Sequence, residues 1–206
     1  MSNATPSAKA PRLILASQSP RRAELLRRLG LEFEVRPAEI DESYVDHEMP
    51  AAHAERLARE KAFAIAHTEP GAVVIGSDTI VVVGSNVLGK PRDEQEAGEM
   101  LLRLSGREHQ VHTGVAVAMD RQVESDLQRV SVRFRNLDRR ACEEYVATGE
   151  PLDKAGAYGI QGFGSALVES IEGDYFAVMG LPVVCTLELI ERFGWRYAFG
   201  KLERAN

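Results

Sequence analysis

Apolar and polar positions alternate with two distinct periods along the chain. The run Ala72-Val-Val-Ile-Gly-Ser-Asp78-Thr-Ile-Val-Val-Val83 is apolar, rich in β-branched residues, and has one carboxylate near its middle. It predicts a central strand packed on both faces. Shorter apolar runs at Arg12–Ala16 and Leu31–Arg36 predict two more strands. Alternation over His109–Met119 and Val123–Arg135 predicts a pair of long strands joined by a hairpin near Asp120-Arg121, and Phe163–Ile171 predicts another strand. Helical spacing at Arg22, Leu25, Leu26 and Leu29 predicts a helix from about Ala23 to Leu29, with Ser19 suited to the N-cap, Pro20 to the first turn and Gly30 to the position after the end. A second helix, about Ala51 to His67, has its stripe at Ala54, Leu57, Ala58 and Ile65. Asp93 with Glu96 has the spacing of a capping box for a helix to about Leu104; Asp138 caps a short helix to Ala147, and Pro182 opens one to about Phe193. Gly173 to Pro182 is expected as an apolar turn.

At 206 residues this pattern suits one α/β domain over residues 11–196, between a disordered lead-in at 1–10 and a loose C-terminal tail at 197–206. A hydrophobic share of 44% and a charged share of 27% are those of a globular chain. The net charge of −6 argues against a general nucleic-acid or membrane-surface binder. No apolar run approaches the ~20 residues that span a bilayer, and Met1–Ala10 has no apolar core of a secretory signal. Cys142 and Cys185 stand alone without metal-ligand spacing, which fits a reducing, cytoplasmic setting.

Charge placed against this pattern marks the candidate chemistry. Asp78 sits inside an apolar strand, where an ionised carboxylate needs a partner. It is either a structural acid satisfied by a loop, or a base or metal ligand presented to a cleft. Arg21 and Arg22 occupy the first helical turn, where the helix dipole disfavours cations; an anion seated between them and the Ser17-Gln-Ser19 turn would reverse that penalty. A solvated basic turn is the alternative. Lys61 falls on the apolar stripe seven residues after Ala54, so it either snorkels to water or reaches a buried anion. Lys90 is held extended before Pro91, and Glu42 lies in the acidic loop Ala38–Ser43. Glycines at 156, 159, 162 and 164 allow close backbone approach, with Lys154, Tyr158 and Gln161 offering polar and stacking groups. Carboxylates for a divalent cation, with arginine and lysine around them, form a kit for phosphoryl chemistry. Neither GxxxxGK[ST] nor GxGxxG occurs, which excludes a Walker ATPase and a Rossmann enzyme.

Several motifs in order resemble the Maf family of nucleoside triphosphate pyrophosphatases: Leu15-Ala-Ser-Gln-Ser-Pro-Arg-Arg-Ala-Glu-Leu-Leu26, Ile40-Asp-Glu42, Arg59-Glu-Lys-Ala62, Gly76-Ser-Asp-Thr-Ile80, Leu88-Gly-Lys-Pro-Arg92, Leu104-Ser-Gly106, Asp153-Lys-Ala-Gly-Ala-Tyr-Gly-Ile-Gln-Gly162 and Gly180-Leu-Pro182. The resemblance spans about Leu13 to Arg192. It implies an elongated mixed sheet flanked by helices, two lobes with a cleft, and kinship of architecture with inosine triphosphate pyrophosphatases. It also implies cleavage of a nucleoside triphosphate between its α- and β-phosphates with Mg²⁺ or Mn²⁺. Position by position, Asp78 matches the family's proton acceptor. Ser17, Arg22, Glu42, Lys61 and Lys90 match polar cleft residues, Glu42 and Asp78 being the metal candidates. Arg21, Thr79 and Gln161 match positions that separate the branch preferring dTTP and UTP from one resembling a 7-methyl-GTP pyrophosphatase. Gln18, Gly173-Asp-Tyr-Phe176 and Met179 depart mildly from the common wording. A homodimer is a family-level expectation, and a non-catalytic regulator of septum formation is the competing function. Strand alternation raises one difficulty: Asp78 and Thr79 point to opposite faces, so both serve one site only if the strand ends or bulges there.

Overall fold

The computed structural model describes residues 10–205. The lead-in expected at 1–10 therefore lies, up to residue 9, outside the described residues. The strands are β1 (Leu13–Leu15), β2 (Glu34–Val35), β3 (Val73–Val83), β4 (Asn86–Leu88), β5 (Glu108–Met119), β6 (Gln122–Phe134), β7 (Val168–Glu172), β8 (Trp195–Tyr197) and β9 (Leu202–Arg204). The helices are α1 (Pro20–Arg28), α2 (Pro50–Ala66), α3 (Glu94–Leu104), α4 (Arg139–Val146), α5 (Tyr175–Met179) and α6 (Val183–Arg192). One mixed sheet runs in the order β2-β1-β3-β5-β6-β7, with β1 parallel to β2 and β3 and the long strands antiparallel.

The β3 strand has two different edges. β5 covers one of them without interruption from Val74 to Val82. The other is shared: β1 pairs with it only as far as Ile75, and β4 begins at Val81. Residues 76–80 thus have a sheet neighbour on one side only.

The two faces pack differently. Val74, Gly76 and Asp78 look toward α2, whose small residues Ala54, Ala58, Ala62 and Ala66 let it lie close on the sheet. Gly76 is required there: a Cβ would stand 2.3 Å from the Ala58 carbonyl oxygen, and at Gly114 on β5 it would stand 2.3 Å from that of Ala54. The opposite face carries two apolar clusters. Val73 and Ile75 join one with α1, α6 and the C-terminal hairpin; Val81 joins the other with α3, α4 and Phe134. Polar Ser77 and Thr79 fall between them along the strand, and there the cleft between the two lobes opens.

Four expectations are corrected. β2 is only two exposed residues long rather than Leu31–Arg36. The strand expected from Phe163 begins at Val168, because Glu150 takes the Phe163 and Gly164 amides (3.0 Å each) and holds 162–167 as a 3₁₀ turn. The turn at 173–182 contains α5, ended by Gly180 at φ 107°. The tail is also not loose over its length: β8 pairs with β9, Trp195 and Leu202 join the core, and the Tyr197 hydroxyl donates to the Leu29 carbonyl at the end of α1 (2.7 Å).

Candidate active site

All nine of the singled-out residues, Ser17, Arg21, Arg22, Glu42, Lys61, Asp78, Thr79, Lys90 and Gln161, border one cleft of about 660 Å³. The difficulty over Asp78 and Thr79 resolves differently from expectation. β3 neither ends nor bulges; its neighbour β1 ends, and the cleft enters through the gap to β4, so side chains from both faces of the strand reach it.

On the α2 face, close packing brings Lys61 to the sheet. Its ammonium lies 2.8 Å from Asp78 Oδ1 and 2.8 Å from Glu42 Oε1. Lys61 is 8% exposed, so it does not snorkel to water but bridges two carboxylates. Burial works to raise the Glu42 pKa, but the Lys61 contact, helped by the charges of Lys90 and Arg22, holds it below the ordinary value. Lys90 itself is exposed at the rim.

On the other face, the Arg22 guanidinium is held by three neutral oxygens. Nη1 donates to Ser17 Oγ (2.9 Å), Nε to the Gly180 carbonyl (2.8 Å) and Nη2 to Thr79 Oγ1 (3.3 Å). Burial lowers its pKa, opposed by the charge of Asp78; an arginine remains protonated regardless. Ser19 makes no side-chain cap, contrary to expectation. Ser17 Oγ instead accepts from the Ser19 amide (3.2 Å) as well as from Arg22, fixing the strand-to-helix turn.

The third wall is the glycine-rich segment. Arg21 reaches across to Asp153 (Nη1–Oδ2 2.9 Å) rather than lying free at the helix start. Lys154 is not a free cation: its ammonium donates to Asp153 (2.6 Å) and to the Glu150 carbonyl. The glycines serve the segment's own packing, since Cβ atoms at Gly156, Gly162 and Gly164 would run into Val81, Glu150 and the Gly159 carbonyl. Tyr158 shares a 2.8 Å hydrogen bond with His109 Nε2, and Gln161 Oε1 is buried with no partner among the described residues.

Sequence reasoning passed over several contributors. Ser77 Oγ lies 2.8 Å from the Gly180 carbonyl, and Thr113 Oγ1 lies 2.8 Å from the Ala177 carbonyl and 3.1 Å from Thr79 Oγ1. Their signal was available: hydroxyls at inward positions of otherwise apolar strands. Tyr44, which lines the cleft with its ring stacked at 3.6 Å on His53, gave none.

A family model described as Maf-like protein matches residues 12–193, a span that contains every cleft residue above. A dTTP/UTP pyrophosphatase of Symbiobacterium thermophilum is 53% identical over 183 residues, covering 89% of this chain and 94% of its own. One from Moorella thermoacetica is 54% identical over 185 residues, covering 89% and 95%. Among solved structures, the Staphylococcus aureus Ham1 protein aligns over 88% of this chain and 97% of that one, at 12% identity and a TM-score of 0.44, a likeness on which nothing further rests. The motifs, the walls of the cleft and the relatives agree over the same stretch, and the chain belongs to the Maf family.

Proposed function

We propose that this protein hydrolyses dTTP and UTP to the monophosphate and pyrophosphate, with modified pyrimidine triphosphates as further substrates. The observation that carries the reading is the strand-mounted Asp78 carboxylate, 2.8 Å from Lys61, in a cleft whose other walls present Arg22 and Lys90. The pyrimidine preference is supported by relatives of about half identity named dTTP/UTP pyrophosphatases.

The donors suit a divalent cation of a particular kind. Among the described residues no three His, Cys, Asp or Glu side chains group to hold a metal, and Glu42 and Asp78 already share an ammonium. Glu42 and Asp78 are the residues that would hold Mg²⁺ or Mn²⁺, ions that proteins bind through as few as one or two carboxylates. When bound, such an ion would supply neutralisation of phosphate charge. Arg22, on neutral partners, turns its charge to the triphosphate, and Lys61 and Lys90 add to it. Asp78 accepts a proton from the water that attacks the α-phosphorus; the bond to the bridging oxygen breaks and pyrophosphate leaves with the electron pair.

The test is product identity. Incubation of the protein with UTP or dTTP and Mg²⁺ is expected to give monophosphate and pyrophosphate in equal amounts. Nucleoside diphosphate with orthophosphate would overturn the proposed bond, and absence of turnover would return the protein to the class of nucleotide-binding regulators.

A further inference from the structure

Glu42 stands in a segment without regular structure between β2 and α2, and its side chain is 59% exposed. An ion pair with Lys61 whose carboxylate is itself more than half exposed contributes too little to immobilise such a loop. The fastening lies a few residues further on. Glu48, with a side chain only 9% exposed, accepts hydrogen bonds from Arg56 Nε (2.6 Å) and Nη2 (2.8 Å) and from the Val45 amide (3.2 Å), and contacts His53 Nδ1 (2.8 Å). Arg56 Nη2 also donates to the Ser43 carbonyl (3.0 Å), and the Tyr44 ring lies flat on His53, the planes 1° apart. The three residues that follow Glu42 are therefore each tied, by carbonyl, ring or amide, to one cluster made of Glu48, just before α2, and of His53 and Arg56 on its first turns. The Arg56 bonds hold the Glu48 carboxyl down at about 2, so this carboxylate stays ionised throughout the working range of pH.

We propose that Glu48 is the positioning residue for Glu42: by gathering Arg56 and His53 it fixes Ser43–Val45, and through them the carboxylate that shares Lys61 with Asp78. The inference rests on the role given to Glu42 in the proposed hydrolysis. It goes beyond that role in locating what sets the carboxylate's place: Glu48 lies just before α2, and its partners His53 and Arg56 stand eight and five residues before Lys61 on that helix.

The test compares UTP hydrolysis by Glu42→Gln, Glu48→Gln, the double variant and Arg56→Lys, with amide hydrogen exchange on each free protein. Glu48→Gln is expected to lower kcat about 10- to 100-fold, as a misplacement of about 1 Å does, with KM little changed. In the Glu42→Gln background the same substitution is expected to add almost nothing, because the two act through one group. Arg56→Lys, which keeps the charge but loses the fork, is expected to give a weaker version. Exchange is expected to speed up at residues 42–45 and not in β3. Equal fold-losses in both backgrounds, or unchanged exchange at 42–45, would overturn the proposal. So would exchange that accelerates in β3 as well for both Glu48→Gln and Arg56→Lys, which makes the cluster a general stability element. A fully active Glu42→Gln overturns the underlying role of Glu42, an outcome distinct from an impaired Glu42→Gln beside an unimpaired Glu48→Gln.

Discussion

The two faces of β3 at its open edge solve the same electrostatic problem in opposite ways. On the Asp78 face opposite charges compensate in part: one ammonium lies 2.8 Å from each of two carboxylates, leaving one negative charge over. On the Thr79 face the Arg22 guanidinium rests on a hydroxyl from β1's end, a hydroxyl from β3 and a carbonyl after α5. No carboxylate lies within salt-bridge distance of it among the described residues. Dipoles satisfy its donors without cancelling its charge. On the proposed reading the difference separates the labour: the uncompensated face would attract the anion, and the other face would hold a carboxylate in place for proton transfer.

The largest effect is expected where that division is sharpest. Asp78→Asn is expected to lower kcat about 10²- to 10⁴-fold, the usual worth of a positioned base, while nucleotide affinity measured by calorimetry holds. Lost affinity with unchanged kcat would invert the assignment of the faces. A second difference appears under acid. His109 lies on the Thr79 face, four residues before Thr113 on β5, and burial lowers it to about 4 from 6.5. The unfolded chain binds the proton first, so this histidine's contribution is complete above pH 6.5 and is lost as pH falls toward 4, about 3 kcal/mol in all. Urea unfolding of the native protein and His109→Phe over that range checks it: the slope with pH is expected to flatten in the variant. Arg22→Lys comes next. It keeps a charge but loses the three-oxygen seat, and triphosphate affinity is expected to drop about 10- to 100-fold with kcat less affected.

The sequence carried one half of this comparison better than the other. Asp78, Lys61 and Arg22 were legible because each is a charge on an apolar strand or stripe, a conflict that needs a partner. Which partner was not legible, since Lys61 and Asp78 meet only because small residues let α2 approach the Gly76 backbone. The gap between β1 and β4 depends on pairing register, which no single-strand pattern encodes. The C-terminal hairpin was missed because each strand has three residues, too few for alternation to register. The Glu48 cluster was missed because a charged loop reads as solvated until the helix that receives it is in place.

The smallest effect tests how firmly the Thr79 face is built. Thr113 has one hydroxyl proton and two near oxygens, the Ala177 carbonyl at 2.8 Å and Thr79 Oγ1 at 3.1 Å. A carbonyl only accepts, so the shorter contact takes the Thr113 proton; Thr79 then donates to Thr113 and accepts from Arg22. The result is an oriented chain, Arg22 to Thr79 to Thr113 to Ala177. Thr113→Val preserves shape and removes its middle. The Ala177 carbonyl still receives the Gly180 amide (2.9 Å), so the expected loss of stability is about 1 kcal/mol, read from urea unfolding. Arg22 keeps Ser17 and the Gly180 carbonyl, so kcat/KM is expected to fall by less than about tenfold, with Thr113→Ser restoring both quantities. If Thr113→Val instead weakens nucleotide binding as much as Arg22→Lys does, the seat depends on the direction of that chain rather than on its nearest acceptors. The uncompensated face would then be held by a single hydroxyl proton buried behind it.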